Sequence, residues 1–183
     1  MITEDNLQDI FELADILSAS NQEIYSHLKE VVFAADPEQI LDQLERVLSA
    51  EAFDNFLDDI GESEKDNLWL ILSYLLEAYG YAMVCHQKIG LDDFMTRFDR
   101  LAPVRKAGVS LKLDREGLEP AAGLAAWATV VEEKLADEGF HLLLLQNATG
   151  KNSLVFLQAL AYQRVQALAE KNGFQVTAAK EIS

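Results

Sequence analysis

Gly139-Phe140-His141-Leu142-Leu143-Leu144-Leu145-Gln146, then Ser153-Leu154-Val155-Phe156-Leu157-Gln158, then Gly173-Phe174-Gln175-Val176-Thr177, decide how this chain folds. The glycines at 139 and 173, like Gly80 before Tyr81, close a helical pattern and are followed at once by an aromatic residue and an apolar run. Glycine tolerates the left-handed backbone that ends a helix, and the run after it has strand composition. Strands are therefore expected at Tyr81 to His86, Phe140 to Gln146, Ser153 to Gln158 and Phe174 to Thr177. Helices near 92 to 101, 119 to 138 and 160 to 172 alternate with them, and Asn147 to Asn152 reads as a hairpin turn. The order β-α-β-β-α-β is that of a ferredoxin-like unit. Val109, Leu111 and Leu113 alternate with Ser110 and Lys112, which predicts a short edge strand beside it.

Upstream, residues 4 to 79 repeat apolar positions at the spacing of a helix with one buried stripe. The stripes are Leu7, Ile10, Phe11, Ala14 and Leu17; Ile24, Leu28, Val31 and Val32; Ile40, Leu41, Leu44, Val47 and Leu48; Phe53, Phe56, Leu57 and Ile60; and Leu68, Leu72, Leu75 and Leu76. Asp36 before Pro37 reads as an N-cap, Gly61 as a left-handed stop, and Ser63 with Asp66 as a capping box. Leu142 to Leu145 and Ala82 to Cys85 are unbroken apolar runs, and a strand has such runs only when both sheet faces are covered. The expected fold is α+β. An acidic helical part, 1–79, packs on a small sheet part, 80–183, as one fused domain, its helices covering the face that the ferredoxin-like helices leave open.

The 183 residues are 50% apolar and 25% charged, with nine Gly and three Pro, which excludes disordered, collagenous and low-complexity chains. One cysteine excludes an internal disulfide framework and a cysteine-rich zinc site. The first residues carry acids where a signal peptide carries bases, and no apolar run reaches the roughly 18 residues of a membrane span, so a cytoplasmic protein is expected. A net charge of −16 repels phosphates and argues against nucleic acid as a partner. That charge is uneven. Residues 1–66 hold 18 acids against Lys29, Arg46 and Lys65, a balance of −15, while residues 67–183 balance at −1. Between positions 97 and 115, Arg97, Arg100, Arg105, Lys106, Lys112 and Arg115 outnumber Asp99 and Asp114 by four.

From Gly139-Phe140 to Gly173-Phe174, the succession of apolar strand, polar turn, Ser-Leu-Val-Phe-Leu strand, helix and Gly-aromatic step resembles an uncharacterised bacterial domain family of unknown function. The resemblance covers the C-terminal half and brings no catalytic residue with it. Gly150-Lys151-Asn152-Ser153 stands where that family carries an acidic turn. In size, acidity and lack of motifs the chain is also similar in style to bacterial immunity proteins that neutralise toxic nucleases.

Several motifs have plainer readings. Thr149-Gly150-Lys151 lacks both the first glycine and the Ser or Thr of a phosphate loop, and it precedes a strand rather than a helix. Cys85 and His86 are neighbours on a strand and point to opposite faces, so Cys85 is assigned to the core with Tyr81 and Met83 rather than to catalysis. His27 and His141 stand alone in their elements, without metal-ligand spacing. Acid pairs such as Asp92-Asp93 and Glu132-Glu133 are those of solvated helix faces. Glu51, Asp54 and Asp58 differ, because they ladder down the polar face of one helix, where like charges four apart each cost about 0.2–0.5 kcal/mol.

Three functional readings follow. The first is a non-enzymatic interaction protein, of which an immunity or inhibitor protein is one kind, that meets a basic protein through Glu51, Asp54, Asp58, Asp59 and Glu62. The second is a regulatory or small-anion-binding α/β domain, with Arg97 and Arg100 on a helix and Arg105 and Lys106 in a Pro103-to-Gly108 loop. The same basic residues also suit contact within the chain or in a homodimer. A hydrolase without motifs ranks third. No catalytic residue, metal ligand or cofactor is assigned.

Overall fold

Five helices make up residues 1–79, and capping chemistry sets their boundaries. The computed structural model describes residues 2–86, 88–146 and 152–181. In α1 (Glu4–Leu17) the Thr3 hydroxyl accepts from the Asn6 amide at 3.1 Å, while the Asn6 side chain accepts from the Thr3 amide at 3.2 Å. Asn21, Asp36, Ser49 and Ser63 do the first half of this for α2 (Gln22–Val32), α3 (Pro37–Val47), α4 (Ala50–Asp59) and α5 (Glu64–Ala78). Each side-chain oxygen satisfies one of the amides that a helix start leaves without a partner. The caps expected at Asp36 and Ser63 are therefore present, but Ser63 and Asp66 form only the first half of the expected capping box. Gly61, expected to end α4 in the left-handed conformation, does not. The helix gives way to extended backbone at Ile60 (φ −63°, ψ 135°), and the Asn67 side chain clasps both the N–H and the C=O of Gly61, at 2.9 and 2.8 Å.

In this unit α5 is the central element, in contact with α1, α2 and α4 and buried without a break from Leu68 to Trp69 and on to Leu76. A helix apolar all round suits such a place. Ile10, Leu13 and Leu17 of α1, Ile24, Leu28 and Val31 of α2, and Leu44 of α3 supply buried stripes. Of the stripe expected for α4 only Phe56 is buried, and Leu57 and Ile60 are exposed.

The second unit, 80–183, contains β1 (Met83–Cys85), α6 (Leu91–Arg100), α7 (Ala102–Ala107), α8 (Leu124–Leu135), β2 (Phe140–Gln146), β3 (Asn152–Gln158), α9 (Ala159–Asn172) and β4 (Gln175–Ala178). The three Gly-aromatic steps behave as read: Gly80, Gly139 and Gly173 have φ of 82°, 77° and 75°. Of the turn expected over Asn147 to Asn152, residues 147–151, and with them Thr149-Gly150-Lys151, lie outside the described residues and Asn152 begins β3; the strands on either side pair in the register Leu142↔Phe156 and Leu144↔Leu154.

The sheet has the order β1-β3-β2-β4 with every neighbouring pair antiparallel. This corrects the ferredoxin-like expectation, in which the fourth strand pairs with the first; here β4 lies beside β2, at the far edge. The step from β3 to β4 thus crosses the sheet in the same direction as the step from β1 to β2, along strands that run the opposite way. Right-handed crossovers must then pass over opposite faces. Packing agrees. Met83, Cys85, Leu142, Leu144, Leu154 and Phe156 form one core with Phe94, Phe98, Val104, Trp127 and Val131 of α6 to α8, to which α9 contributes nothing. On the alternate positions of β2, His141 meets the ring of Tyr162 of α9 at a tilt of 41°, with ring centroids 4.8 Å apart. The second face of the unbroken apolar strands is therefore covered at least in part by α9, where the N-terminal helices were expected.

Three further expectations are corrected. Pro103 to Gly108 is not a loop, because Pro103 sits in the first turn of α7 and Gly108 (φ 74°) ends it. Val109 to Leu113 forms no strand. Ser110 Oγ and the amides of Leu111 and Lys112 all donate to the Asp99 carboxylate, at 2.9, 2.7 and 3.2 Å, and a chain wrapped round one carboxylate cannot stay extended. The helix expected from 119 starts only at Leu124, after a turn whose Glu119 carbonyl accepts the Trp127 indole N–H at 2.7 Å.

Candidate functional site

The acids singled out from the sequence fall into two kinds. Glu51, Asp54 and Asp58 are exposed along α4, Glu62 is exposed in the turn after it, and among the described residues none of the four is ion-paired to a lysine or arginine. Asp59 is different. Half-buried, it accepts the Tyr74 hydroxyl at 2.7 Å, and Tyr74 in turn meets the edge of Phe56 at 5.6 Å between centroids. Burial first, then this bond and the charge of Asp59, push the Tyr74 hydroxyl far above the ordinary phenol range. Asp59 is thus a tie between α4 and α5.

The cations of the other unit lie on two successive helices, Arg97 and Arg100 in the last turn of α6 and Arg105 and Lys106 in the last turn of α7. All four are exposed, each near a helix C-terminus where positive charge is favoured. Arg97 donates to the Val84 carbonyl at 3.1 Å. Nearby, Arg115 pairs with Asp92 at 2.9 Å, and Lys134 donates to Asp114 at 2.8 Å and holds that carboxyl below its usual range. Part of the basic surplus is therefore met within its own unit.

Two polar constellations join residues too far apart in sequence to be paired by reading. In the first unit, His27 lies between Tyr79, whose hydroxyl is 2.8 Å from Nε2, and Gln43, whose Nε2 is 3.0 Å from Nδ1. The same Gln43 nitrogen donates to the His27 carbonyl at 3.3 Å and to Glu30 Oε2 at 2.6 Å. The two hydrogens of that amide nitrogen are shared among three acceptors, His27 Nδ1 among them. The Tyr79 hydroxyl is raised by burial and by Glu23, to which it is hydrogen-bonded. Above Gln43 opens a cleft of about 480 Å³ between α2 and α3, lined by Glu30, Phe33, Gln39, Asp42, Gln43 and Arg46. The sequence did carry a signal for this place. Phe33 follows the last apolar position of α2 and heads the short turn Ala34-Ala35-Asp36 before α3, outside the buried stripe.

In the second unit Glu132 Oε1 accepts the Leu142 amide at 2.9 Å, and Oε2 lies 3.7 Å from His141 Nδ1. β4 pairs with β2 only from Leu143 onward, so Glu132 takes the place of a missing strand for the next amide. Tyr162, in tilted ring contact with His141, accepts from Gln166 at 3.0 Å. Cys85 is buried in the core with Met83, and burial pushes its thiol up to about 12, while His86 is exposed; the pair is no nucleophile and base. Among the described residues no group of His, Cys, Asp and Glu is placed to hold a metal ion, and no helix is long and apolar enough to cross a membrane.

A family model for a domain of unknown function, DUF6630, matches residues 9–179. The chain belongs to the DUF6630 family. The match spans both units, so the DUF6630 domain is wider than the C-terminal half of the chain. No curated protein and no solved structure matches this DUF6630 chain.

Proposed function

We propose that the chain is a non-enzymatic interaction protein that docks a basic protein on its acidic helical unit. The observation that carries this reading is the exposed row Glu51, Asp54, Asp58 and Glu62, without cationic partners among the described residues, in a stretch that balances at −15. Side chains that give a helix nothing in stability are available for another molecule, and a concentrated negative field speeds encounter with a positive one. A partner whose own basic surface binds nucleic acid, such as a nuclease-like toxin, has the complementary chemistry, and the chain then acts as an inhibitor or immunity protein.

The test is capture of proteins from a lysate of the source cell by the tagged chain at low salt, elution at high salt, and identification of the eluate by mass spectrometry. A specific basic protein is expected. Its association should weaken steeply with salt and with Glu51→Lys, Asp54→Lys and Asp58→Lys together. Binding indifferent to both salt and charge reversal would remove the proposal.

A further inference from the structure

The cleft between α2 and α3 combines features that a merely solubilising acidic surface does not need. Phe33 at its mouth is 75% exposed, although its neighbours in α2, Leu28 and Val31, are buried. Glu30 and Asp42 are exposed on the cleft walls. The Glu30 carboxylate is not left to wander, because Gln43 holds it at 2.6 Å and is itself fixed by two contacts to His27, which Tyr79 steadies at 2.8 Å. A carboxylate positioned before the partner arrives loses less freedom on binding. Gln39 and Arg46 add donors to the lining that suit carbonyl oxygens.

We propose that this cleft seats a basic amphipathic segment of a protein partner, with an apolar side chain laid on Phe33, a lysine or arginine directed at Glu30 and Asp42, and its backbone carbonyls within reach of Gln39 and Arg46. Charge complementarity selects the occupant, since the surrounding 66 residues carry 18 acids and only three bases. Aromatic side chains, Phe included, are enriched at protein–protein interfaces, where they serve as apolar anchors. The inference rests on the basic-partner reading above and adds the place and the kind of segment.

The experiment uses the full chain and two labelled peptides of equal length and charge, one alternating lysine with leucine in a helical pattern and one of lysine with serine. Affinity is measured by fluorescence anisotropy, and the contact is mapped by amide chemical shifts. The lysine/leucine peptide is expected to bind at least tenfold tighter, to shift Phe33, Gln43 and Arg46, and to lose that advantage in Phe33→Ser, a surface change that leaves the fold intact. Gln43→Leu should weaken it several-fold with Phe33 in place. Equal binding of both peptides, unaffected by Phe33→Ser and mapped to α4, overturns the cleft and leaves the acidic reading standing. Binding of neither peptide at low salt overturns both.

Discussion

The Asp99 carboxylate and the Leu111 amide meet at 2.7 Å, and this contact determines the course of the chain after α7. Asp99 also accepts from Ser110 Oγ and from the Lys112 amide, so one anion gathers three donors of a single turn. Hydrogen bonds to a charged acceptor contribute about 1.5–3 kcal/mol, and donors left without one are costly. Asp99→Ala is expected to lose about 2–4 kcal/mol in urea unfolding, with the Leu111 and Lys112 amides the first to exchange with solvent. Asp99→Asn keeps one oxygen and should lose about half as much. Unchanged stability in Asp99→Ala would refute this account of the turn.

What the sequence disclosed divides along the same line as that contact. Local chemistry was legible: the caps at Asp36 and Ser63 and the glycine stops at 80, 139 and 173 depend on neighbours within a few positions. Val109 to Leu113 was misread because alternation is a weak local signal and a carboxylate eleven to thirteen positions upstream overrides it. The edge on which β4 pairs was hidden for a similar reason. Both edges suit the same strand composition, and only long-range pairing chooses between them. At the candidate site, the exposure of Glu51, Asp54 and Asp58 followed from helical phase, but Asp59 was grouped with them because no pattern announces a tyrosine fifteen positions later. The Gln43, His27 and Tyr79 constellation joins positions up to 52 apart and left only the misplaced Phe33 as a trace.

Neighbouring acids on α4 should respond to neutralisation with opposite sign. Asp58 lies in the last turn, where the helix dipole disfavours a negative charge, and four residues after Asp54. Asp58→Asn is expected to raise stability by about 0.5 kcal/mol. Asp59 suffers the same dipole but holds the Tyr74 hydroxyl, so Asp59→Ala should lower stability by about 1–3 kcal/mol. Urea denaturation of the two variants checks both signs, and a stabilised Asp59→Ala would show that the tie to Tyr74 contributes nothing.

Where β4 stops short, Glu132 substitutes for it at the Leu142 amide. Glu132→Ala leaves that amide without an acceptor and should cost about 1–3 kcal/mol, while Glu132→Gln keeps the bond and most of the stability. Hydrogen exchange at Leu142 checks the site directly: protection should fall in the alanine variant far more than at Leu144, which β3 and β4 still flank.

Cys85 makes stability fall in alkali. Its thiol is raised by burial from 9.0 to about 12, against a smaller opposing pull from Arg97, so the folded protein keeps a proton that the unfolded chain releases. Stability is complete below pH 9 and is lost as the pH rises from 9 toward 12, by up to about 1.4 kcal/mol per unit from this group. Tyr74 and Tyr162, also raised, add the same sign from pH 10 upward. Cys85→Ala should be less stable at neutral pH for lost packing, yet show a shallower decline between pH 9 and 10. A thiol reagent at pH 8 should label Cys85 only in denaturant. An equally steep decline in the variant would remove Cys85 as the cause.

Ala19 and Ser20, between α1 and α2, have φ of 51° and 62°, a left-handed backbone that costs an L-residue about 1–2 kcal/mol. The turn is held by bonds that do not depend on either side chain: the Ser20 amide donates to Asp15 O at 2.8 Å, and the Asn21 amide donates to Ser18 Oγ at 3.2 Å. Glycine at these positions relieves the strain, but it also loosens the unfolded chain, which takes back up to about 1 kcal/mol. Ala19→Gly and Ser20→Gly are therefore each expected to be neutral or stabilising by up to about 1 kcal/mol, whereas Ser20→Val, with a branched Cβ in the same backbone, should destabilise by more than 1 kcal/mol. Thermal unfolding of the three variants decides it: a clear loss in both glycine variants together with a tolerated valine would mean that the turn is not left-handed in solution.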